Sequence, residues 1–159
     1  MKKIIIVVLF FTSFSLFANQ NVLNVPREYT THVRQLCQDN NLPYEIVYRL
    51  IEWESYWNPL ITVSNNNGTE DIGLMQLNSK YIEDFQIRYN NNVSFNPKNW
   101  YKNAEIGIKH LAFLKEITGS MFGAIAAYNM GLTAYRQWRS HERSMPEPTM
   151  KELEYVFRF

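Results

Sequence analysis

At 159 residues, with 46% hydrophobic and 15% aromatic content, the chain can bury one sizeable core but has no room for two ordinary domains. Its formal net charge of +1 comes with no basic stripe, which excludes counterion-release binding of nucleic acid as a main function. The single cysteine excludes an internal disulfide framework.

The chain opens with Lys2 and Lys3, an apolar run from Ile4 to Phe11, and Ser13 to Ala18 leading into the polar Asn19-Gln20-Asn21. This basic, apolar, small-residue order predicts a signal peptide over residues 1–18, cleaved after Ala18, and hence export to the periplasm. An uncleaved membrane anchor is the alternative, for which the apolar stretch is short. Loss of Lys2 and Lys3 leaves a mature chain of about −1, expected to form one domain over residues 19–159.

The punctuation that follows is that of a helical domain. A first helix is expected from about Arg27 to Gln38, with Cys37 four residues after Val33 on its apolar face, as a small core residue. Pro43 suits the first turn of a second helix, which runs to about Tyr56 and is ended by Asn58-Pro59. From Leu60 to Asp71 the sequence reads as a loop or short hairpin. Ile61 to Val63 favours a strand and Asn65-Asn66-Asn67-Gly68 a turn.

A helix is expected to begin near Ser79. After a polar connection, a long helix spans about Asn99 to Ile117, with Trp100, Ala104, Ile108, Leu111 and Leu114 at helical spacing, and Gly119 stops it. Met121 to Asn129 forms a short apolar helix that Gly131 can terminate. A last helix is expected from Thr149, with Glu152 completing a capping box. The fold class implied is mainly α with a small hairpin around residues 60–72.

The first chemical signal lies on the second helix. Val47, Leu50 and Ile51 form an apolar stripe, and the next position on it is Glu54. A carboxyl placed where the core should continue has its neutral form favoured by low dielectric, which is what a general acid near neutral pH needs.

Glu54-Ser55 is followed by Asn58-Pro59, Gly73-Leu74-Met75-Gln76 and Ala127-Tyr128-Asn129-Met130-Gly131, with Tyr155-Val156 near the end. In this order the elements resemble the transglycosylase SLT family of lytic transglycosylases, over a core of residues 42–131. The resemblance implies a lysozyme-like fold with Glu54 as the single catalytic acid/base, acting on peptidoglycan glycan strands. By the same resemblance Ser55 orients the substrate or the acid, Gln76 lines the glycan groove beside Met75 and Leu74, Tyr128 and Asn129 close the site behind Glu54, and Tyr155 is the last tyrosine motif. The residues alone also allow Leu74, Met75 and Tyr128 to be core and Asn129 to be a helix cap.

The run from Asn67 to Ser79 is also similar to the active-site hairpin of chicken-type lysozymes. Asp71, 17 residues after Glu54, falls where those hydrolases carry their second carboxylate. Transglycosylases associated with type III secretion, conjugation and pilus systems resemble this hybrid, so machinery of that kind is an implied partner.

Two chemistries follow. In one, Glu54 alone serves as acid and base, and the product is a 1,6-anhydro end. In the other, Asp71 is a nucleophile or stabiliser and water is consumed, as in a muramidase. The Leu-Met-Gln and Tyr-Asn-Met-Gly motifs favour the first. For Asp71 the structural alternative is a hairpin residue bonding its own backbone. A non-cleaving peptidoglycan-binding assembly module is the alternative of another class, against which Glu54 argues.

His32, His110 and His141 lack metal-site spacing, and the 6 glycines are scattered, so no metal and no phosphate-binding cofactor are implied. Trp53, Tyr56, Trp57, Trp100 and Tyr101 are candidates for stacking on sugars, although at helical spacing most are expected in the core. The chain is expected to act as a monomer.

Overall fold

The computed structural model describes residues 24–158. The expected signal peptide, residues 1–18, lies outside the described residues.

Seven helices and a small sheet make up the described part: α1 (Arg27–Asp39), α2 (Tyr44–Ser55), β1 (Thr62–Ser64), β2 (Glu70–Ile72), β3 (Leu77–Asn78), α3 (Ile82–Tyr89), α4 (Trp100–Thr118), α5 (Met121–Met130), α6 (Leu132–Arg139) and α7 (Glu147–Phe157). A short 3-10 turn, Ser79–Tyr81, leads into α3. The strands form one antiparallel sheet in the order β1-β2-β3.

The core is built around α5. This helix is apolar on every side, with Gly123 to Ala127 all buried, so it must be enclosed. It packs against α4, α6 and α7, while α2 packs between α1 and α7. Gly123 lets α6 approach closely, because a Cβ there would lie 2.6 Å from the Tyr135 hydroxyl and 2.7 Å from Thr118 Cβ. A second, smaller cluster of Leu77, Phe85 and Ile106 fixes the sheet and α3 onto α4.

Most boundaries expected from the sequence lie within two residues of those observed, and three features differ. Strand β3 and helix α6 were not anticipated. Both are short, and β3 exists only because β2 offers it a partner, through Asp71 opposite Asn78 and Ile72 opposite Leu77. The third is a correction: α7 starts at Glu147 after Pro146, not at Thr149. Thr149 and Glu152 therefore sit inside the helix, both 0% exposed, and form no capping box.

Candidate active site

Glu54 occupies the last turn of α2, one residue before the helix ends. The chain leaves that helix abruptly, because Tyr56 and Trp57 both adopt left-handed backbone conformations, with φ of 51° and 61°. For bulky residues such conformations are costly and persist only where surrounding structure enforces them. Trp57 is held by burial, with its ring tilted against Tyr48 at a centroid distance of 4.9 Å. The effect is to stop α2 where Glu54 leaves the core only partly buried. Its carboxyl is pushed up to about 8, first by loss of hydration and then by the negative charge of Asp71. The chain thus holds an acid that keeps its proton at neutral pH.

Asp71 lies in the middle of β2, paired with Val63 on one side and Asn78 on the other. Its two oxygens accept one side-chain amide each: Asn65 Nδ2 donates to Oδ2 at 2.9 Å and Asn78 Nδ2 to Oδ1 at 2.7 Å. Both amides also donate to Thr69 Oγ1, which in turn donates to Asn67. The hairpin is therefore a frame that fixes the direction of one carboxylate, and Asp71 is held by side chains across the sheet, not by its own backbone. Glu54 and Asp71 therefore differ in their surroundings, the first raised by loss of hydration and the second oriented by one amide on each oxygen.

The Gly73-Leu74-Met75-Gln76 segment joins the hairpin to the helices through Asn103. This fully buried side chain on α4 donates to the Ile72 and Pro97 carbonyls, both at 2.8 Å, and accepts from the Met75 amide at 2.8 Å. Gly73 makes room for it. Its φ is +79°, and a Cβ there would lie 2.7 Å from the Pro97 carbonyl and closer still to the Asn103 amide. Gln76 is also left-handed, with φ of 46°, and its side chain folds back to donate to the Gly73 carbonyl at 2.9 Å.

Two residues that the sequence placed against the ligand are not on the surface. Ser55 is 1% exposed, and its hydroxyl is directed to the Ile51 and Leu74 carbonyls at 3.1 and 2.8 Å, so it ties α2 to the loop that follows the hairpin. Met75, like Leu74, is fully buried and packs on Gly107 of α4, where a Cβ would lie 2.6 Å from the Met75 sulfur. Both residues set the position of Glu54 and Gln76 from behind.

Tyr128 lies at the meeting point of these parts. Its hydroxyl donates to the Met75 carbonyl at 2.6 Å. Burial, followed by the nearby Glu54, Glu152 and Asp71, raises its ionisation far out of range, so it remains a donor. Asn129 accepts from the Thr149 hydroxyl at 2.5 Å. Tyr155 is more exposed, pairs with Trp53 at 5.3 Å and has its ionisation raised by burial and by a hydrogen bond with Glu52. Of the other aromatics, Trp57 is core, whereas Tyr56 and Tyr101 are about half exposed.

Sequence reasoning missed Asn65, Asn78 and Asn103. Asn103 carried a legible signal, since it stands one residue before Ala104 on the buried side of α4 and is a polar residue at a core position. Asn65 and Asn78 were obscured by a sequence rich in asparagine. Among the described residues no group of three or more His, Cys, Asp or Glu could hold a metal ion, and no helix is long and apolar enough to cross a membrane.

A family model described as transglycosylase SLT domain matches residues 32–150. Among solved structures, the chain is similar to an inactive mutant of lytic transglycosylase Slt from Pseudomonas aeruginosa, at 17% identity and a TM-score of 0.66. It is also similar to the 70-kDa soluble lytic transglycosylase from Escherichia coli, at 21% identity and a TM-score of 0.64. A complex of the 70-kDa soluble lytic transglycosylase with bulgecin A aligns at 20% identity and a TM-score of 0.69. Each alignment covers 83% of this chain but only 23% of the other. Comparison with the curated proteins finds no match.

Proposed function

The chain belongs to the transglycosylase SLT domain family, and from that premise we propose that it is a lytic transglycosylase cleaving the MurNAc-GlcNAc β-1,4 bond of peptidoglycan. The observation that carries this reading is the partly buried Glu54, with its carboxyl pushed up to about 8 by loss of hydration and by Asp71, beside an Asp71 clamped by two side-chain amides. Glu54 gives its proton to the glycosidic oxygen as the C1–O bond breaks. Positive charge then develops at C1 of the muramic acid, opposite the Asp71 carboxylate. The resulting Glu54 carboxylate takes the proton of that sugar's own C6 hydroxyl, whose oxygen closes onto C1 to give the 1,6-anhydro ring. Atoms balance without water. Gln76, Tyr128, Asn129 and Tyr155 are proposed to line the groove around this centre.

A second reading has one observation in its favour. The two-amide clamp on Asp71 is more than electrostatic background requires, and it would also suit a lysozyme-type nucleophile or stabiliser working with water. The product separates the two. We further propose that residues 1–18 are removed on export to the periplasm, that residues 19–159 act as one domain, and that the activity opens the wall for a secretion, conjugation or pilus apparatus.

The test is Glu54→Gln, which keeps the shape and removes the ionisable proton. Turbidity loss of purified cell walls should fall by about 10²- to 10⁴-fold, the usual value of a positioned general acid, with the folded state retained. A variant still clearing walls at near the wild-type rate would sink the assignment.

A further inference from the structure

An exposed aromatic surface beside Glu54 has no part in the proton transfers. Along α2 each residue advances by about 100°, so Trp53 and Ser55 stand on opposite sides of Glu54. Ser55 is tied to the Leu74 carbonyl at 2.8 Å, behind the hairpin that carries Asp71. Trp53 faces the other way, toward α7, where its ring lies 5.3 Å from that of Tyr155. This pair is open to solvent, since Trp53 is only partly buried and Tyr155 is 38% exposed. Tyr56 adds a third ring. It stands three residues after Trp53, the spacing of neighbours on one helix face, and close enough to Tyr155 to act on its ionisation. Its side chain is 53% exposed, yet it occupies the left-handed cap of α2, which glycine or asparagine fills at less cost. Folding gains little from an exposed ring on a costly backbone, and such a residue points to a use outside the core.

We propose that Trp53, Tyr56 and Tyr155 form a stacking platform for the part of the glycan strand that departs when the bond breaks. The inference rests on the reading of Glu54 as the general acid. With C1 of the muramic acid opposite Asp71, on the hairpin side, the leaving N-acetylglucosamine extends past Glu54 in the other direction, toward α7. The platform is continuous with the reacting centre, because Trp53 and Glu54 are adjacent residues of one helix turn. A pyranose suits such a surface. One face of the sugar presents C–H bonds that are weakly positive at hydrogen, and the face of an aromatic ring is the negative part of its quadrupole. The sugar hydroxyls lie around the rim of the pyranose, so stacking leaves them in water and avoids the cost of burying them unpaired. The platform would hold the leaving strand in line while Glu54 delivers its proton.

The experiment is calorimetric titration of the mature chain carrying Glu54→Gln, which holds a strand without cutting it, with peptide-free glycan strands of defined length. Added to that background, Tyr56→Ala and Trp53→Ala should each weaken binding by about two- to tenfold, the value of one aromatic contact. Tyr56→Phe keeps the ring and should keep the affinity. In the cleaving chain, Tyr56→Ala should raise KM by a larger factor than it lowers kcat. If Trp53→Ala does not fold, Tyr56→Ala decides the matter, because its ring is exposed. Equal affinity with and without the Tyr56 ring, or the same loss in Tyr56→Phe as in Tyr56→Ala, would overturn the platform and leave the reading of function standing. A chain that binds no strand at all would overturn both.

Discussion

Glu54 and Asp71 share a residue type's chemistry, and their neighbours set them apart. Burial is the larger cause of the raised Glu54 carboxyl and the Asp71 charge the smaller. Removing only the charge should therefore lower the Glu54 midpoint without returning it to the ordinary carboxyl range. Glu54 works as an acid below its midpoint, so Asp71→Asn should move the alkaline limb of the pH profile downward. If Glu54 alone carries both proton transfers, the rate at neutral pH should fall only moderately, by about tenfold, the cost of losing ~1.4 kcal/mol of charge stabilisation. Loss of nearly all activity would instead mark Asp71 as a nucleophile. Asn78→Ala offers a milder version, since it removes one of the two amides that direct the carboxylate. At this scale the candidate acid was legible in the sequence, because a carboxyl on an apolar stripe is a local pattern. The asparagine clamp was not, because it is assembled from residues on three different strands and turns.

Among the elements, helix α4 carries more than its apolar spacing suggests. Asn103 satisfies two backbone groups at the loop that presents Gln76, the Met75 amide and the Ile72 carbonyl, and ties them to the Pro97 carbonyl ahead of α4. Asn103→Ala would leave those groups buried and unpaired, at about 1–3 kcal/mol for each group not reached by solvent. A net loss of about 2–4 kcal/mol is expected by urea denaturation, with wall clearance reduced further than stability alone accounts for. A loss under about 0.5 kcal/mol would show that the loop is held by packing instead. Helices α1, α2, α4 and α5 were readable from period and punctuation. The hairpin was readable as a turn between β-branched residues. Strand β3 and helix α6 were not, since at two and eight residues they depend on tertiary partners more than on local propensity. The start of α7 was misread because Thr149-to-Glu152 spacing fits a capping box and an inward-facing pair equally well. Burial decides between them, and burial is not local.

For the molecule as a whole, a main core around the apolar α5 and a smaller cluster that joins the sheet and α3 to α4 hold the described elements together, as a chain of 159 residues with this composition allows. Export is testable on the purified protein. N-terminal sequencing of the periplasmic form should begin at Asn19, and an intact leader on membrane-bound material would replace cleavage with anchoring and leave the catalytic argument untouched. The chemistry turns on whether water enters the product. The direct measurement is mass spectrometry of muropeptides released from purified walls by the wild-type mature chain. Lytic transglycosylation predicts 1,6-anhydro ends, each lighter by one water than the corresponding reducing end, from the first turnovers onward. Reducing ends as the initial product, lost in Asp71→Asn, would contradict that account and assign the chain to hydrolysis.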